Sequence, residues 1–256
     1  MLKHNDWFIP FKQEKNAYLR LFCFHYSGGS ASAFRQWSTD VIGDVELIAI
    51  QLPGREERFN EPLLNNISQI VNNLCWHFNN YLDKPFIFFG HSTGALIAFE
   101  FVRALRRKGM PKPEHLVISG TKAPQVPLKK QPIHDLPNLK FIEELKKYNG
   151  IPDYIIENEE LMSIFMPTIR ADFCISETYK YTSEEPLTCP MTVLGGLSDD
   201  TVDLDDLIQW KEQTSSLFKY HLLFGDHFFV NTSYEEVIKI VNQILYNEII
   251  KFVRIN

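Results

Sequence analysis

Gly90-His91-Ser92-Thr93-Gly94 is the stretch that decides the fold of this chain. It follows the apolar run Phe86-Ile87-Phe88-Phe89, which has the length of a buried strand, and leads into a helix-forming stretch, 95–100. In this context the Gly-x-Ser-x-Gly pattern predicts a nucleophile elbow, a sharp strand-to-helix turn that holds the serine in a strained backbone conformation. The two glycines stand two residues before and after Ser92, where larger side chains would block the turn. We therefore expect Ser92 at the edge of a sheet, with a helix N-terminus behind it that favours negative charge.

Size and composition predict one globular domain over residues 1–256. The chain is 45% hydrophobic and 23% charged, which allows a sizeable core, and its net charge of −6 argues against a nucleic-acid partner. The four cysteines are scattered, with neither a CxxC nor a metal-ligand spacing, so we expect no disulfide framework and no metal site. The sequence shows no signal peptide and no apolar run that would span a bilayer. It therefore predicts a soluble, cytoplasmic protein without a membrane partner, and nothing in it demands more than a monomer.

Apolar runs of strand length alternate with amphipathic stretches, which is typical of an α/β fold with a mostly parallel central sheet flanked by helices. Strands are predicted at 19–24, 47–52, 86–89, 116–119, 191–194 and 220–224, with helices at 67–81 and 95–108.

One segment, residues 123–185, breaks this alternation with Pro-rich connections and helical patterns alone. Helices are expected there over 138–148, 157–166 and, after a stop near Pro167, 169–179. Because the segment lies between two core strands, we expect a helical insertion over the carboxyl-end edge of the sheet, where α/β sites lie. That position favours a lid or substrate tunnel over an ordinary helical embellishment.

A serine hydroxyl becomes a good nucleophile only beside a base that a carboxylate orients. In α/β-hydrolases, which carry this elbow, the chain order is Ser, then Asp or Glu, then His. His227 follows the last predicted strand, in a loop that Gly225 makes adaptable, whereas the other seven histidines come too early, lie inside the elbow or sit within a strand pattern. The acid belongs on the loop after strand 191–194, where Asp199 and Asp200 are both candidates that spacing does not separate.

An oxyanion hole needs two backbone N–H groups directed at the tetrahedral oxygen. The residue after the nucleophile, Thr93, supplies the first. The loop Phe24-His25-Tyr26-Ser27-Gly28-Gly29-Ser30 suits the second, because paired glycines let the backbone approach substrate closely. A phosphate-cradling loop is the alternative for the two glycines, but neither Gly-Lys-Ser/Thr nor GxGxxG accompanies them. Together these features predict a nucleophilic acyl-transfer site.

Four segments resemble those of the type II thioesterases of nonribosomal peptide and polyketide synthases, which are α/β-hydrolases. Residues 23–37 are similar to the family's Phe-Pro-His-Ala-Gly-Gly segment and its downstream tryptophan. Gln51-Leu52-Pro53-Gly54-Arg55-Glu56-Glu57-Arg58-Phe59 resembles its Leu-Pro-Gly-Arg-x-x-Arg stretch and is the most specific of the four. Residues 166–179 resemble its lid motif and residues 225–229 its histidine motif.

The resemblance implies Ser92 as nucleophile, His227 as base and Asp199 as the orienting acid, because the family's aspartate stands three residues before a valine, here Val202. It also implies Ser27 as the oxyanion-loop residue. Two positions depart from the family: His25 replaces the usual proline of that loop, and Thr93 replaces the methionine that commonly follows the nucleophile. Both hole contacts are backbone amides, so we expect the chemistry to be retained and the shape of the acyl pocket to change.

The implied activity is hydrolysis of acyl thioesters on the phosphopantetheine arms of acyl or peptidyl carrier domains, without a cofactor of the enzyme's own. Arg55 and Arg58 are expected either to meet an acidic carrier or to form an ion pair with Glu56 or Glu57. For two further cations, Lys129 and Lys130, solvated surface is the favoured interpretation over a carrier contact. The alternatives are a medium-chain thioesterase of fatty-acid synthesis, a general carboxylesterase and a non-catalytic carrier-binding protein.

Overall fold

A computed structural model describes residues 5–255 and contains a seven-stranded sheet of order β1-β3-β2-β4-β5-β6-β7. β1 is antiparallel to β3, and every other pairing is parallel. The strands are β1 (Phe8–Lys12), β2 (Leu19–Phe24), β3 (Val45–Ile50), β4 (Phe86–His91), β5 (His115–Ser119), β6 (Met191–Gly196) and β7 (Phe218–Leu223). The α-helices are α1 (Trp37–Asp40), α2 (Ile67–Phe78), α3 (Thr93–Arg107), α4 (Asn138–Lys146), α5 (Asp153–Ile156), α6 (Glu159–Glu177), α7 (Leu204–Ile208), α8 (Phe229–Thr232) and α9 (Tyr234–Ile255).

Helices cover both faces of the sheet, which confirms the predicted α/β fold. Every residue of β2, β3, β4 and β5 is buried, as expected for parallel strands with covered faces. On one face Phe22 and Phe88 pack in a core that includes α2 and α3. On the other, Leu21 and Phe89 share a core with Val241 of α9. Alternating residues of the same strand therefore enter opposite cores.

The six predicted strands are all present, β2 with the predicted ends and the other five with shifted ends, and one strand was missed. β3 covers Val45–Ile50 where 47–52 was predicted, because the polar Glu46 is buried in the strand and pairs with Arg20 at 2.6 Å. β1 escaped prediction because it contains Pro10, which is tolerated in an edge strand.

Residues 123–185 form α4, α5 and α6, and the described part of this segment contains no strand. These helices have a small apolar core of their own, which includes Phe141, Met162 and Ile169. The predicted stop near Pro167 is wrong, because α6 is continuous from Glu159 to Glu177. A proline inside a helix costs one backbone hydrogen bond, about 3 kcal/mol, and the burial of Met166 and Ile169 on either side of it offsets that cost. That the insertion acts as a lid stays a prediction.

The predicted elbow joins β4 to α3, and its two glycines lie where the backbone is most crowded. A Cβ atom on Gly90 would lie 2.5 Å from the Cα of Ala95, and one on Gly94 would lie 2.3 Å from the carbonyl oxygen of Phe24. Real Cβ atoms do not approach other heavy atoms this closely. The elbow therefore packs backbone against backbone, with α3 seated on the end of β2.

We expect Gly94→Ala to lower the free energy of unfolding by about 3 kcal/mol, because the new methyl group meets rigid backbone. Gly43→Ala is the matched control, since a Cβ there has no neighbour within 4 Å, and we expect it to change stability by less than about 0.5 kcal/mol. Urea denaturation followed by circular dichroism measures both. Equal stability of the two variants would contradict the close approach at Gly94.

Candidate active site

Ser92 occupies the turn of the elbow between β4 and α3. Its φ of 54° and ψ of −124° lie outside the regions that non-glycine residues favour, so its backbone is strained, as an elbow requires. The N–H of Ser92 donates to the carbonyl oxygen of Ser119 at the end of β5, at 2.8 Å. This hydrogen bond fixes the turn against the neighbouring strand.

The structure brings Ser92, His227 and Asp199 together. The Oγ of Ser92 lies 2.9 Å from Nε2 of His227, and Nδ1 of His227 lies 2.9 Å from Oδ2 of Asp199. The three residues follow β4, β7 and β6, which all end at the same edge of the sheet. His227 is only 6% exposed, so the hydrogen-bonded chain is largely shielded from water. This arrangement can pass the hydroxyl proton of Ser92 to an imidazole that a carboxylate orients.

Asp199 is held as an ionised carboxylate. Burial disfavours the charged form, but the hydrogen bond and charge of His227, with two hydrogen bonds from Thr201, outweigh burial and lower the pKa of Asp199. Thr201 donates from its N–H at 2.8 Å and from its hydroxyl at 2.6 Å. Asp200 is exposed, and its carbonyl oxygen accepts from Lys130. The geometry therefore places Asp199, and not Asp200, beside His227, a distinction that sequence spacing alone does not make.

Thr201 is a site residue that the sequence analysis missed. Its hydroxyl also lies 3.0 Å from Nδ1 of His227, so it contacts both the carboxylate and the imidazole. The sequence does contain a signal that could have identified Thr201: it is a hydroxyl residue two positions after a candidate acid, and threonine readily bonds an Asp side chain at this spacing.

The loop after β2 meets the elbow at the candidate oxyanion hole. The hydroxyls of Ser27 and Thr93 are hydrogen-bonded at 2.7 Å, and both residues line the cavity in front of Ser92. Among the hydrogen bonds within residues 5–255, none uses the backbone N–H of Ser27 or of Thr93. Both amides therefore remain available to an oxyanion. The departure at Thr93 has a structural effect, because a methionine there would not form this hydroxyl pair.

A second imidazole, that of His91, is buried beside the base. Its Nδ1 lies 2.9 Å from the Ser119 hydroxyl, and its ring centroid lies 5.3 Å from that of His227. Burial and the nearby His227 lower the pKa of His91 to about 3, so the side chain is neutral at physiological pH. His91 therefore adds no positive charge that would oppose protonation of His227 during turnover.

A cavity of about 940 Å³ opens in front of Ser92. Ser92, Thr93 and His227 line this cavity together with Tyr148 and Phe173 of the insertion, and the Tyr148 ring centroid lies 5.8 Å from that of His227. The helices of residues 123–185 thus cover the predicted nucleophile. A cavity of this kind accommodates an acyl chain together with part of the group that carries it.

Arg55 and Arg58 both form structural ion pairs, one of the two expectations, but the expected partners Glu56 and Glu57 are wrong. Arg55 pairs with Asp172 of α6 at 2.7 Å, and Arg58 pairs with Glu61 at 2.6 Å. Both arginines are less than 10% exposed. Their neighbours Glu56 and Glu57 face the exposed side of the turn, so they do not reach the guanidinium groups.

The sequence matches the profile of the thioesterase domain family over residues 19–245. The chain belongs to this family. It is 44% identical to the gramicidin S biosynthesis protein GrsT of Aneurinibacillus migulanus, over 92% of each chain. It is 34% identical to the human medium-chain S-acyl fatty acid synthase thioesterase, over 87% of this chain and 85% of the relative. The structure of YbtT, a type II thioesterase of the yersiniabactin pathway, superposes with a TM-score of 0.81 at 33% identity, over 94% of this chain and 97% of that one.

These comparisons confirm the α/β-hydrolase fold and the predicted resemblance to type II thioesterases. Membership of this family makes the protein a serine thioesterase, and Ser92 of the elbow is its predicted nucleophile. Within residues 5–255, none of the helices combines the length and the apolar composition that a membrane span requires.

We expect Asp199→Asn to lower kcat by about 10³-fold to 10⁴-fold, because an amide in place of the carboxylate favours the wrong tautomer of His227 and no longer stabilises its cation. Asp200→Asn is the matched control, one residue along the same loop, and we expect it to leave kcat within about twofold. Steady-state hydrolysis of an acyl thioester measures both. A larger loss in Asp200→Asn than in Asp199→Asn would contradict the assignment.

Proposed function

We propose that this protein is a type II editing thioesterase that hydrolyses acyl thioesters from the phosphopantetheine arms of carrier domains of nonribosomal peptide or polyketide synthases. The observation that carries the proposal is the hydrogen-bonded chain from Ser92 through His227 to Asp199 at the base of a helix-covered cavity. The similarity to GrsT and YbtT supports a role beside such synthases, since those proteins are named for the gramicidin S and yersiniabactin pathways.

In the acylation step, the Oγ of Ser92 attacks the thioester carbonyl carbon while Nε2 of His227 accepts the hydroxyl proton. The N–H groups of Ser27 and Thr93 stabilise the negative oxygen of the tetrahedral intermediate. The carbon–sulfur bond then breaks, and the imidazolium returns its proton to the departing thiolate of the arm. The products are an acyl ester of Ser92 and a free phosphopantetheine thiol.

In the deacylation step, His227 accepts a proton from a water molecule whose oxygen attacks the acyl ester. A second tetrahedral intermediate forms in the same oxyanion hole and collapses to a carboxylic acid, while His227 returns the proton to Oγ of Ser92. Asp199 keeps the imidazole oriented and stabilises its cation in both steps. Both steps use the protein's own side chains and water, and the substrate arrives on the phosphopantetheine arm of the carrier domain.

The partner in this proposal is a carrier domain, met by a monomeric enzyme in the cytoplasm. All four cysteines are free thiols, in keeping with a reducing compartment. Of the two lysines considered for carrier contact, Lys129 already bonds Asp203 and Asp206, each at 2.6 Å. Lys130 donates to the carbonyl oxygen of Asp200 at 3.0 Å but forms no ion pair within residues 5–255, so its exposed charge beside the cavity is the better placed of the two to meet an acidic carrier.

Medium-chain fatty-acyl release is the second candidate, because the human medium-chain thioesterase is 34% identical to this chain. A panel of carrier domains loaded with acetyl, octanoyl, decanoyl or peptidyl groups separates the two activities. Release of several short and peptidyl groups at comparable, slow rates supports editing. A strong preference for octanoyl or decanoyl carriers supports medium-chain release, and a preference for simple oxygen esters would identify a general carboxylesterase instead.

We expect Ser92→Ala to lower acid release from an acetyl-loaded carrier by at least about 10⁴-fold while leaving carrier binding unchanged, because only the attacking oxygen is removed. Ser198→Ala is the matched control: this serine is exposed and lies on the same sheet edge. Mass spectrometry of the carrier measures release, and calorimetry measures binding. Undiminished release by Ser92→Ala would overturn the proposed nucleophile, and undetectable release by the unaltered enzyme would favour the non-catalytic carrier-binding alternative.

A further inference from the structure

The peptide groups of the oxyanion loop are bonded to two charged side chains that the reaction does not use. The N–H of Gly28 donates to Oδ2 of Asp172 at 2.8 Å, and the carbonyl oxygen of Gly29 accepts from Arg55 at 2.9 Å. Ser27, the residue proposed to supply the hole amide, directly precedes this pair of glycines. The Ser27 N–H shares a peptide group with the carbonyl of Tyr26, and that carbonyl oxygen accepts from the N–H of Gly29 at 2.9 Å. The bonds from Asp172 and Arg55 therefore hold the turn that carries the hole amide.

Arg55 and Asp172 also bind each other in a two-point ion pair. The two terminal nitrogens of Arg55 donate to the two carboxylate oxygens of Asp172, at 2.7 and 2.9 Å. Arg55 is 6% exposed and Asp172 is 1% exposed, so neither charge is stabilised by bulk water. A buried pair of this kind holds its geometry tightly, because displacement of either partner leaves an uncompensated charge.

The pair joins three segments that are distant in sequence. Arg55 belongs to the turn after β3, Asp172 to helix α6 of the insertion, and the glycines to the loop after β2. Two neighbouring contacts join the same segments. Thr168 of α6 donates to the carbonyl oxygen of Gly54 at 3.2 Å, and a Cβ atom on Gly28 would lie only 3.0 Å from Ile169 of α6. Helix α6 is therefore seated directly on the oxyanion loop.

We infer that Arg55 and Asp172 are positioning residues that hold the Ser27 amide in its catalytic orientation and make that orientation depend on the seated position of α6. The inference rests on the proposed function, since the hole matters only if an oxyanion forms there. Because oxyanion donors act by being preorganised, loosening of this loop affects the transition state more than the bound substrate. A helix of the cover is thus part of the hole's support as well as a wall of the cavity.

The test compares Asp172→Asn and Arg55→Lys with Arg58→Lys. The Asp172→Asn substitution sets an amide N–H₂ against the guanidinium donors, and the lysine of Arg55→Lys is a single point charge that does not span both carboxylate oxygens. Arg58 is the matched control: it is equally buried in the same turn and pairs with Glu61, without touching the oxyanion loop. All variants are assayed with the acetyl thioester of N-acetylcysteamine at a temperature where circular dichroism shows them folded.

We expect Asp172→Asn and Arg55→Lys to lower kcat by about 10-fold to 100-fold with KM nearly unchanged. We expect the affinity for a short alkyl boronic acid, which forms a tetrahedral adduct on a nucleophilic serine, to fall in parallel, and Arg55→Met to lose more than Arg55→Lys. Arg58→Lys should retain both kcat and boronate affinity. If Asp172→Asn does not fold, Asp172→Glu keeps the charge while moving it by one methylene and carries the same expectation.

Equal losses of kcat in Arg55→Lys and Arg58→Lys, or a lowered melting temperature with unchanged boronate affinity, would overturn the positioning role. Failure of the inference is separable from failure of the proposed function. If Ser92→Ala abolishes acid release while Asp172→Asn keeps full kcat, only the positioning role is lost. If Ser92→Ala keeps its activity, the proposed nucleophile is lost as well.

Discussion

The backbone reversal at Ser92 is the constraint on which the rest of the site depends. A serine held at a positive φ is stable only where its surroundings leave no other path for the chain. Here the Ser92 amide is bonded to β5, and the glycine that follows the turn lies against the backbone at the end of β2. The elbow therefore requires three adjacent parallel strands to end at one edge. Any sequence that builds this edge also brings the loops after those strands to the serine.

Of the buried titratable groups near this serine, Asp199 is charged and the imidazoles of His91 and His25 are neutral. Asp199 remains ionised in a buried position because His227 and Thr201 together supply more stabilisation than the carboxylate loses on leaving water. For the imidazoles of His91 and His25, burial outweighs the stabilising charges of Asp199 and Asp172. Burial, with the positive charge of a neighbour, lowers their pKa values to about 3 and about 4. The site thus places one negative charge behind its base and keeps the other nearby histidines neutral, which favours formation of the His227 cation during attack.

Sequence reasoning predicted the parts of the site that follow from strand order. Parallel strands with covered faces are recognisable in a sequence as apolar runs, and their carboxyl ends lie at the same edge of the sheet. For this reason the sequence predicted Ser92, His227 and one of two adjacent aspartates. The ion pair of Arg55 with Asp172 was not predictable, since it joins residues 117 positions apart through the docking of a helix. Nor was the continuity of α6 through Pro167, because the contacts that offset the missing hydrogen bond lie in the insertion's own core. What escaped prediction is tertiary packing between the insertion and the sheet.

The packing of α6 against the oxyanion loop gives the insertion more than a shielding position. A cover that merely shields a site needs apolar contacts with the rim, and such contacts tolerate sliding. Helix α6 instead places a carboxylate on a backbone amide of the oxyanion loop and on a buried guanidinium, both of which have strict distance and direction requirements. A displacement of α6 away from the oxyanion loop would break these bonds and leave a buried charge without its partner. In the inferred role of Arg55 and Asp172, the position of α6 and the assembly of the oxyanion hole are therefore linked through the same two side chains.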